Sequence, residues 1–279
     1  VVESVHRVHA VAVQDGAVVL EAGNPGLVAF MRSAAKPFQA LPVVRARPDL
    51  TDEEIAIACA SHLARPEQVA AVRSLLAKAP AGEDELECGP EPTPVEHNCS
   101  GKHAGMLALC RANGWDSSGY RLAAHPVQQG CLAELAAATD IAPEQLPTAV
   151  DGCGVVTFAF PLGRMALAFA RLAELDGGER VTRAMQAHPD HIRGPLAADS
   201  LLMRHLHGWT AKGGAEGLLG AGGPAGLGLA LKVEDGNTRA VRPALREALR
   251  RLGHDVPELA PVMVRNSRGE DVGRLAASR

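Results

Sequence analysis

The periodicity of the chain changes twice, and those changes limit the folds open to it. Val8 to Leu20 alternates like two strands joined at Asp15-Gly16, a pair suited to a tight hairpin turn. From Ser33 to about His207 the apolar spacing is mostly helical. Strand character returns after Trp209. Boundary signals sharpen this outline. Thr51-Asp52-Glu53-Glu54 is a capping box. Pro66 opens a helix with Val69, Val72, Leu75 and Leu76 on one side, and Gly114 stops a helix that starts near Lys102. Further helical stretches run near 126–139, 161–174, 179–187 and 199–206. Trp209 to Lys212 reads as a strand ending in a glycine-rich turn, and Leu227 to Val233 as a buried strand. Asn237 caps a last helix ended by Gly253, and Pro261 to Val264 reads as one more strand.

This order predicts an α+β fold, with an antiparallel sheet built from both chain ends and a helical block inserted between them. The sheet lobe spans about 1–30 and 208–279 and the helical lobe about 31–207, together forming one catalytic domain over 1–279 with a cleft between the lobes. Aromatic residues make up 3% of the chain, so Ala, Leu and Val must fill the core. A net charge of -4 offers no basic surface to nucleic acid or to an anionic membrane. No run approaches the roughly 18 apolar residues of a membrane span. The start, Val1-Val2-Glu3-Ser4, lacks the pattern of a secretion signal. Cysteines at 59, 88, 99, 110, 131 and 153 form no CxxC pair and no dense framework. Free thiols in a reducing, cytoplasmic setting are expected.

Three segments invite a chemical reading together that none supports alone. In Ser33-Ala34-Ala35-Lys36, a helix start puts the serine and lysine on one face. A serine hydroxyl needs a neighbouring base, and lysine can serve when burial makes it neutral. Helix N-terminal N–H groups could then hold an oxyanion. Taken singly, S-x-x-K is a common tetrapeptide and reads equally as a helix start with a solvated lysine. Ser61, in Cys59-Ala60-Ser61-His62, ends the capped helix; Lys212-Gly213-Gly214 begins a glycine-rich loop. In sequence order the three parallel the S-x-x-K, S-D-N and K-T-G signature of penicillin-binding proteins and class A β-lactamases. His62 stands where that signature has Asp, and no S-D-N or clear K-T-G is present. The pattern therefore argues for a more distant Ser–Lys hydrolase.

A fourth constellation adds soft ligands. Asn98-Cys99-Ser100-Gly101-Lys102-His103-Ala104-Gly105-Met106 precedes a helix, and Asp151-Gly152-Cys153-Gly154 follows the short apolar strand Thr148-Ala149-Val150. Cys99 and Lys102 are three apart and face one way on a first helical turn. Two thiolates suit zinc, whereas lysine is a rare ligand because the metal must displace its proton. Buried thiols without a metal are the other reading.

These segments, with Arg32-Ser33-Ala34-Ala35-Lys36-Pro37-Phe38-Gln39 and Ala211-Lys212-Gly213-Gly214-Ala215-Glu216-Gly217, resemble the Rhizobium etli-type L-asparaginases, also called class 3 or the asparaginase II family. The resemblance runs in order over nearly the whole chain. It implies a serine β-lactamase or glutaminase type of fold. It also implies hydrolysis of the side-chain amide of L-asparagine through a serine acyl-enzyme. Ser33 with Lys36 would form a first Ser–Lys pair and Ser61 with Lys212 a second. Cys99, Lys102 and Cys153 would hold zinc. Asp151 would take the substrate's α-amino group or the metal's waters, with Arg32 and His62 as further substrate contacts. A homodimer is implied as well. The chain departs from the family in Val155-Val156 after Gly154, where a proline is more usual, and in a shorter stretch between Lys78 and Asn98. The alternative is another Ser–Lys amidohydrolase, such as a glutaminase or a lactam or peptide amidase.

Overall fold

The computed structural model describes residues 1–278. Its strands are β1 (Val8–Gln14), β2 (Ala17–Ala22), β3 (Val28–Phe30), β4 (Thr148–Val150), β5 (Val156–Pro161), β6 (Thr210–Gly214), β7 (Leu218–Gly223), β8 (Leu227–Val233), β9 (Val262–Arg265) and β10 (Asp271–Leu275). Its helices are α1 (Lys36–Gln39), α2 (Leu41–Ala46), α3 (Asp52–Ala58), α4 (Pro66–Lys78), α5 (Ser100–Asn113), α6 (Pro126–Thr139), α7 (Leu162–Arg171), α8 (Gly178–Ala187), α9 (Pro189–Ile192), α10 (Ala198–His205) and α11 (Val241–Arg251).

The main sheet is antiparallel, in the order β2-β1-β8-β7-β6. Chain ends therefore meet in one sheet around an inserted helical block, as the periodicity predicts. Asp15 and Gly16 turn the first hairpin with φ of 50° and 80°, which is why a short polar residue and a glycine stand there. Thr51 accepts from Glu54 N–H while the Glu54 carboxylate accepts from Thr51 N–H, completing the capping box of α3. Gly114 closes α5 in the left-handed conformation.

Four expectations change. The glycine-rich stretch after Lys212 is a turn only at residues 215–217: Gly213 and Gly214 complete β6, Gly220, Gly222 and Gly223 lie in β7, and Lys212 sits in mid-strand. Glycine hides the strand signal because it has no side chain to alternate, yet tertiary packing requires it here. A Cβ on Gly220 would lie 2.0 Å from the Phe169 ring, and one on Gly228 would lie 1.9 Å from the Ala166 carbonyl. The bare strip lets α7 lie directly on the sheet. The expected strand at 148–150 is joined by the unforeseen strand 156–161, and the two pair with residues 28–30 in a separate sheet, β3-β5-β4. The apolar run of β5 carries no alternation because five of its six residues are buried. Finally, among the described residues β9 pairs with β10 alone and does not join the main sheet.

Register decides which way Lys212 faces. It pairs with Gly220, so it lies on the sheet face covered by α7 and the helical block. From α7 the packing continues to α1, where Phe38 meets Phe169 edge to face at 5.3 Å between centroids. On the other side of the block, α5 presses against α3. A Cβ on Gly101 would lie 2.0 Å from the Ile57 carbonyl, and one on Gly105 would lie 3.3 Å from Ala58 Cβ.

Replacing Gly101 by Ala is expected to lower stability by about 1–3 kcal/mol through overpacking. Gly130→Ala, in α6 where nothing lies within 4 Å of the new Cβ, is expected to raise it by up to about 1 kcal/mol. Denaturant midpoints at constant m-value distinguish the two.

Candidate active site

Three buried side chains from three distant segments meet at one hydroxyl. Lys36 Nζ donates to Ser61 Oγ at 3.0 Å, and Lys212 Nζ lies 3.1 Å from the same oxygen. Lys36 and Lys212 are wholly buried and Ser61 nearly so. Lys36 Nζ also donates to the Ala60 carbonyl. That carbonyl stands just past the end of α3, where unpaired carbonyls attract cations, and this draws the lysine to the Ser61 loop. The sequence pattern suggests one lysine for each serine; the structure sets both on Ser61. Among the described residues no hydrogen bond is made by Ser33 Oγ. Ser33 is half-buried, one turn ahead of Lys36, and among the described residues its backbone N–H has no acceptor.

Lys212 is held by the Gly213 carbonyl at 2.7 Å and lies 3.8 Å from Asp199 Oδ2. Burial lowers its pKa to about 7, against the pull of Asp199 and with the push of Lys36. A lysine in this state can take or give a proton at neutral pH.

The Ser61 loop is fixed from both sides. Ser61 N–H donates to the Ile192 carbonyl at 2.7 Å and His62 N–H to the Asn98 carbonyl at 3.1 Å. His62 is 1% exposed. Its Nδ1 accepts from Ala64 N–H at 3.1 Å, so the neutral ring carries its proton on Nε2, 2.8 Å from Ser100 Oγ. Ser100 Oγ in turn donates to the Val95 carbonyl at 2.7 Å. Burial, helped by the Lys36 charge, lowers the His62 pKa to about 4. Both ring nitrogens are engaged, which makes His62 a brace for the loop rather than a free surface.

Arg32 and Asp151 form an ion pair, Nε to Oδ1 at 2.5 Å, immediately before Ser33. Arg32 has φ of 50° and its N–H donates to Thr157 Oγ1 at 3.0 Å. A left-handed arginine costs of order 1–3 kcal/mol and persists where the surroundings enforce it. Here β5 enforces it, with the Phe158 carbonyl accepting from Met31 N–H at 2.8 Å.

The third group is Cys99, Lys102 and Cys153. Lys102 Nζ donates to Cys153 Sγ at 3.0 Å, and Cys99 Sγ lies 3.0 Å from Asn98 Oδ1. The neighbouring Cys153 thiol holds Cys99 well below the usual thiol range, against burial and with help from Lys36 and Lys102. Burial opposes the charge on Lys102, but the adjacent sulfurs push its pKa up. One thiolate beside an ammonium is the state this geometry favours. The other four thiols are ordinary core groups: burial pushes Cys59 and Cys131 up to about 12 and Cys88 and Cys110 up to about 11. All six cysteines are free. Among the described residues no cluster of three or more His, Cys, Asp or Glu could hold a metal, so a metal here would depend on the Lys102 amine.

Sequence reasoning missed His97, whose Nδ1 accepts from Cys99 N–H at 3.0 Å, and the buried Asp199. Neither lies in a recognisable motif; only the fold brings them to the site.

A serine hydroxyl between two buried lysines, one of them near neutrality, is equipment suited to acyl transfer. The chain matches the L-asparaginase II family model over residues 1–277, and it belongs to that family. Two solved structures of a protein named Mglu in its native form, one in 4.3 M NaCl, are distantly similar. Their TM-scores are 0.44 and 0.48, at 15% and 13% identity. The matches cover 90% of this chain but 65% and 62% of theirs, so the chain spans a little under two thirds of their length. No curated protein matches it. No helix among the described residues is long and apolar enough to cross a membrane.

Ser100→Ala removes the shared partner of His62 and Val95, and is expected to lower stability by about 1–3 kcal/mol because both groups stay buried. Chemical denaturation of the purified variant measures it.

Proposed function

We propose that this chain is an L-asparaginase of the Rhizobium etli type, on a serine β-lactamase type of fold, working through a serine acyl-enzyme. The observation that carries the reading is the pair of lysines on Ser61 Oγ, joined to the half-buried Ser33 by one helical turn. Family membership supplies the substrate class.

Donor counting gives the proton path. With Lys212 neutral, the Ser61 hydroxyl donates to Lys212 Nζ and accepts from Lys36 Nζ. A proton passed from Lys36 through Ser61 to Lys212 leaves Lys36 able to take the Ser33 proton. Ser33 Oγ then attacks the side-chain amide carbon of asparagine. The unpaired Ser33 N–H at the helix start is a donor for the oxyanion. Collapse breaks the C–N bond, and the same relay returns a proton to the departing nitrogen as ammonia. Water hydrolyses the β-aspartyl ester to L-aspartate and restores the Ser33 hydroxyl. The Arg32–Asp151 pair offers opposite charges to the α-carboxylate and α-ammonium of a free amino acid.

Cys99, Lys102 and Cys153 fit a zinc ion in donor chemistry: two soft sulfurs and one nitrogen, with the Lys102 amine already 3.0 Å from Cys153 Sγ. Bound there, zinc would supply a fixed positive charge tying the Asp151–Cys153 loop to α5. The three donors must lose their protons to bind it, so uptake is favoured by rising pH. A cytoplasmic homodimer is the assembly this reading carries with it.

Purified protein is expected to release ammonia from asparagine, with a higher kcat/KM than for glutamine; a preference for glutamine would overturn the substrate assignment. Ser33→Ala is expected to lower kcat by on the order of 10⁴-fold or more, and Lys212→Met by about 10²–10⁴-fold. Because neutral Lys212 is the proton acceptor, activity falls as pH drops below about 7. An acylated peptide mapped to Ser61 instead of Ser33 would reverse the roles of the two serines. Elemental analysis is expected to find zinc in the wild type and far less in Cys99→Ala; equal contents would refute the ligand set.

A further inference from the structure

Asp199 lies on the first turn of α10, outside every motif, and is 2% exposed. A buried carboxylate is costly unless its oxygens are satisfied. Its Oδ1 accepts from Ser200 N–H at 3.0 Å and its Oδ2 from Gly213 N–H at 2.9 Å. The same Oδ2 lies 3.8 Å from Lys212 Nζ. Glycine at 213 leaves room for this close approach to β6, as a Cβ there would lie 3.3 Å from Oδ2. The carboxylate therefore grips the strand one residue past Lys212 and faces its side chain at once.

The other charged or titratable groups facing Lys212 are Lys36 on α1, Arg193 after α9, Cys99 at the start of α5 and Cys59 at the end of α3. Lys36 and Arg193 repel a charge on Lys212, and burial disfavours it. Asp199 is the carboxylate that opposes them.

We propose that Asp199 is a positioning residue for Lys212, bracing β6 through Gly213 N–H and supplying the counter-charge that lets Lys212 hold a proton between the two halves of the reaction. The proposal rests on reading Lys212 as the proton acceptor. A lysine with too little proton affinity could not accept from Ser61; one with too much could not return the proton to the leaving nitrogen.

The test reads Lys212 directly, without substrate, so it stands whether or not asparagine proves to be what the enzyme hydrolyses. In protein carrying ¹³C-labelled lysine, the ε-carbon signal of Lys212, assigned with Lys212→Arg, is titrated by NMR in the wild type and in Asp199→Asn. The Asn side chain keeps the size and an oxygen for Gly213 N–H. The expected result is a midpoint about 1 pH unit lower or more in the variant. In the activity assay the acid limb of kcat moves down in parallel, with kcat reduced more than KM is changed. Unmoved midpoints in two equally folded proteins overturn the proposal. So does a loss of activity that is uniform across pH. If Asp199→Asn does not fold, Asp199→Ser, which keeps a smaller acceptor, is read in the same way.

Discussion

Everything at this site turns on one hydroxyl shared by two buried lysines. Lys36 and Lys212 both reach Ser61 Oγ, which holds their nitrogens within about 6 Å of each other. At that separation two like charges repel by roughly 3 kcal/mol at an effective dielectric of 20. Removing them from water adds to the cost. The arrangement is tolerable when one of the two is easily deprotonated, and Lys212, near 7, is that one. The neutral amine then accepts from Ser61 while Lys36 donates to it, and every polar atom of the trio is used. A cluster that would be strained as two ammonium groups becomes a satisfied hydrogen-bond chain.

Packing, not local preference, holds the three segments in place. The main sheet carries Lys212, and its glycine strip lets α7 settle directly onto β7 and β8. Phe169 on α7 then meets Phe38 on α1, which fixes the turn bearing Ser33 and Lys36. Gly101 and Gly105 do the same between α5 and α3, and so fix the loop bearing Ser61. Small residues at these contacts convert helix and sheet positions into positions of side-chain nitrogens and oxygens. A shift of an ångström at either contact would break the hydrogen bonds on Ser61.

A single tight loop joins the serine–lysine cluster to the sulfur pair. In residues 151–154, Gly154 N–H donates to the Asp151 carbonyl at 2.8 Å and Gly152 N–H to Asp151 Oδ1 at 2.9 Å. The turn sends Asp151 toward Arg32 and Cys153 toward Lys102. The residue before Ser33 is thus tied, through four residues of loop, to Lys102 on α5. Charge is balanced on both sides, carboxylate against guanidinium and thiolate against ammonium. The Arg32–Asp151 pair keeps some exposure, as a place that must open to a charged substrate requires.

The sequence by itself determined the sheet made from both chain ends, the caps of α3 and α5, and the identity of the segments that meet at the site. These are properties of local pattern: alternation, helical spacing, capping residues and motif order act over a few residues. Tertiary structure alone decided the rest. Strand β7 was illegible because glycine carries no alternation, and its glycines are explained only by Phe169 and α7 lying on them. Strand β5 was missed because burial on both faces erases the period. The pairing of serines with lysines also lay beyond the sequence. Ser33 and Lys36 are neighbours along a helical turn, yet Lys36 turns to Ser61, because the Ala60 carbonyl past the end of α3 is the acceptor within its reach. Asp199 shares no motif with Lys212 and meets it through the contact of α10 with β6. Local spacing names the groups that can react, whereas proton affinity depends on burial and on charges brought from far along the chain. For Lys212 those charges are Lys36, Asp199 and Arg193.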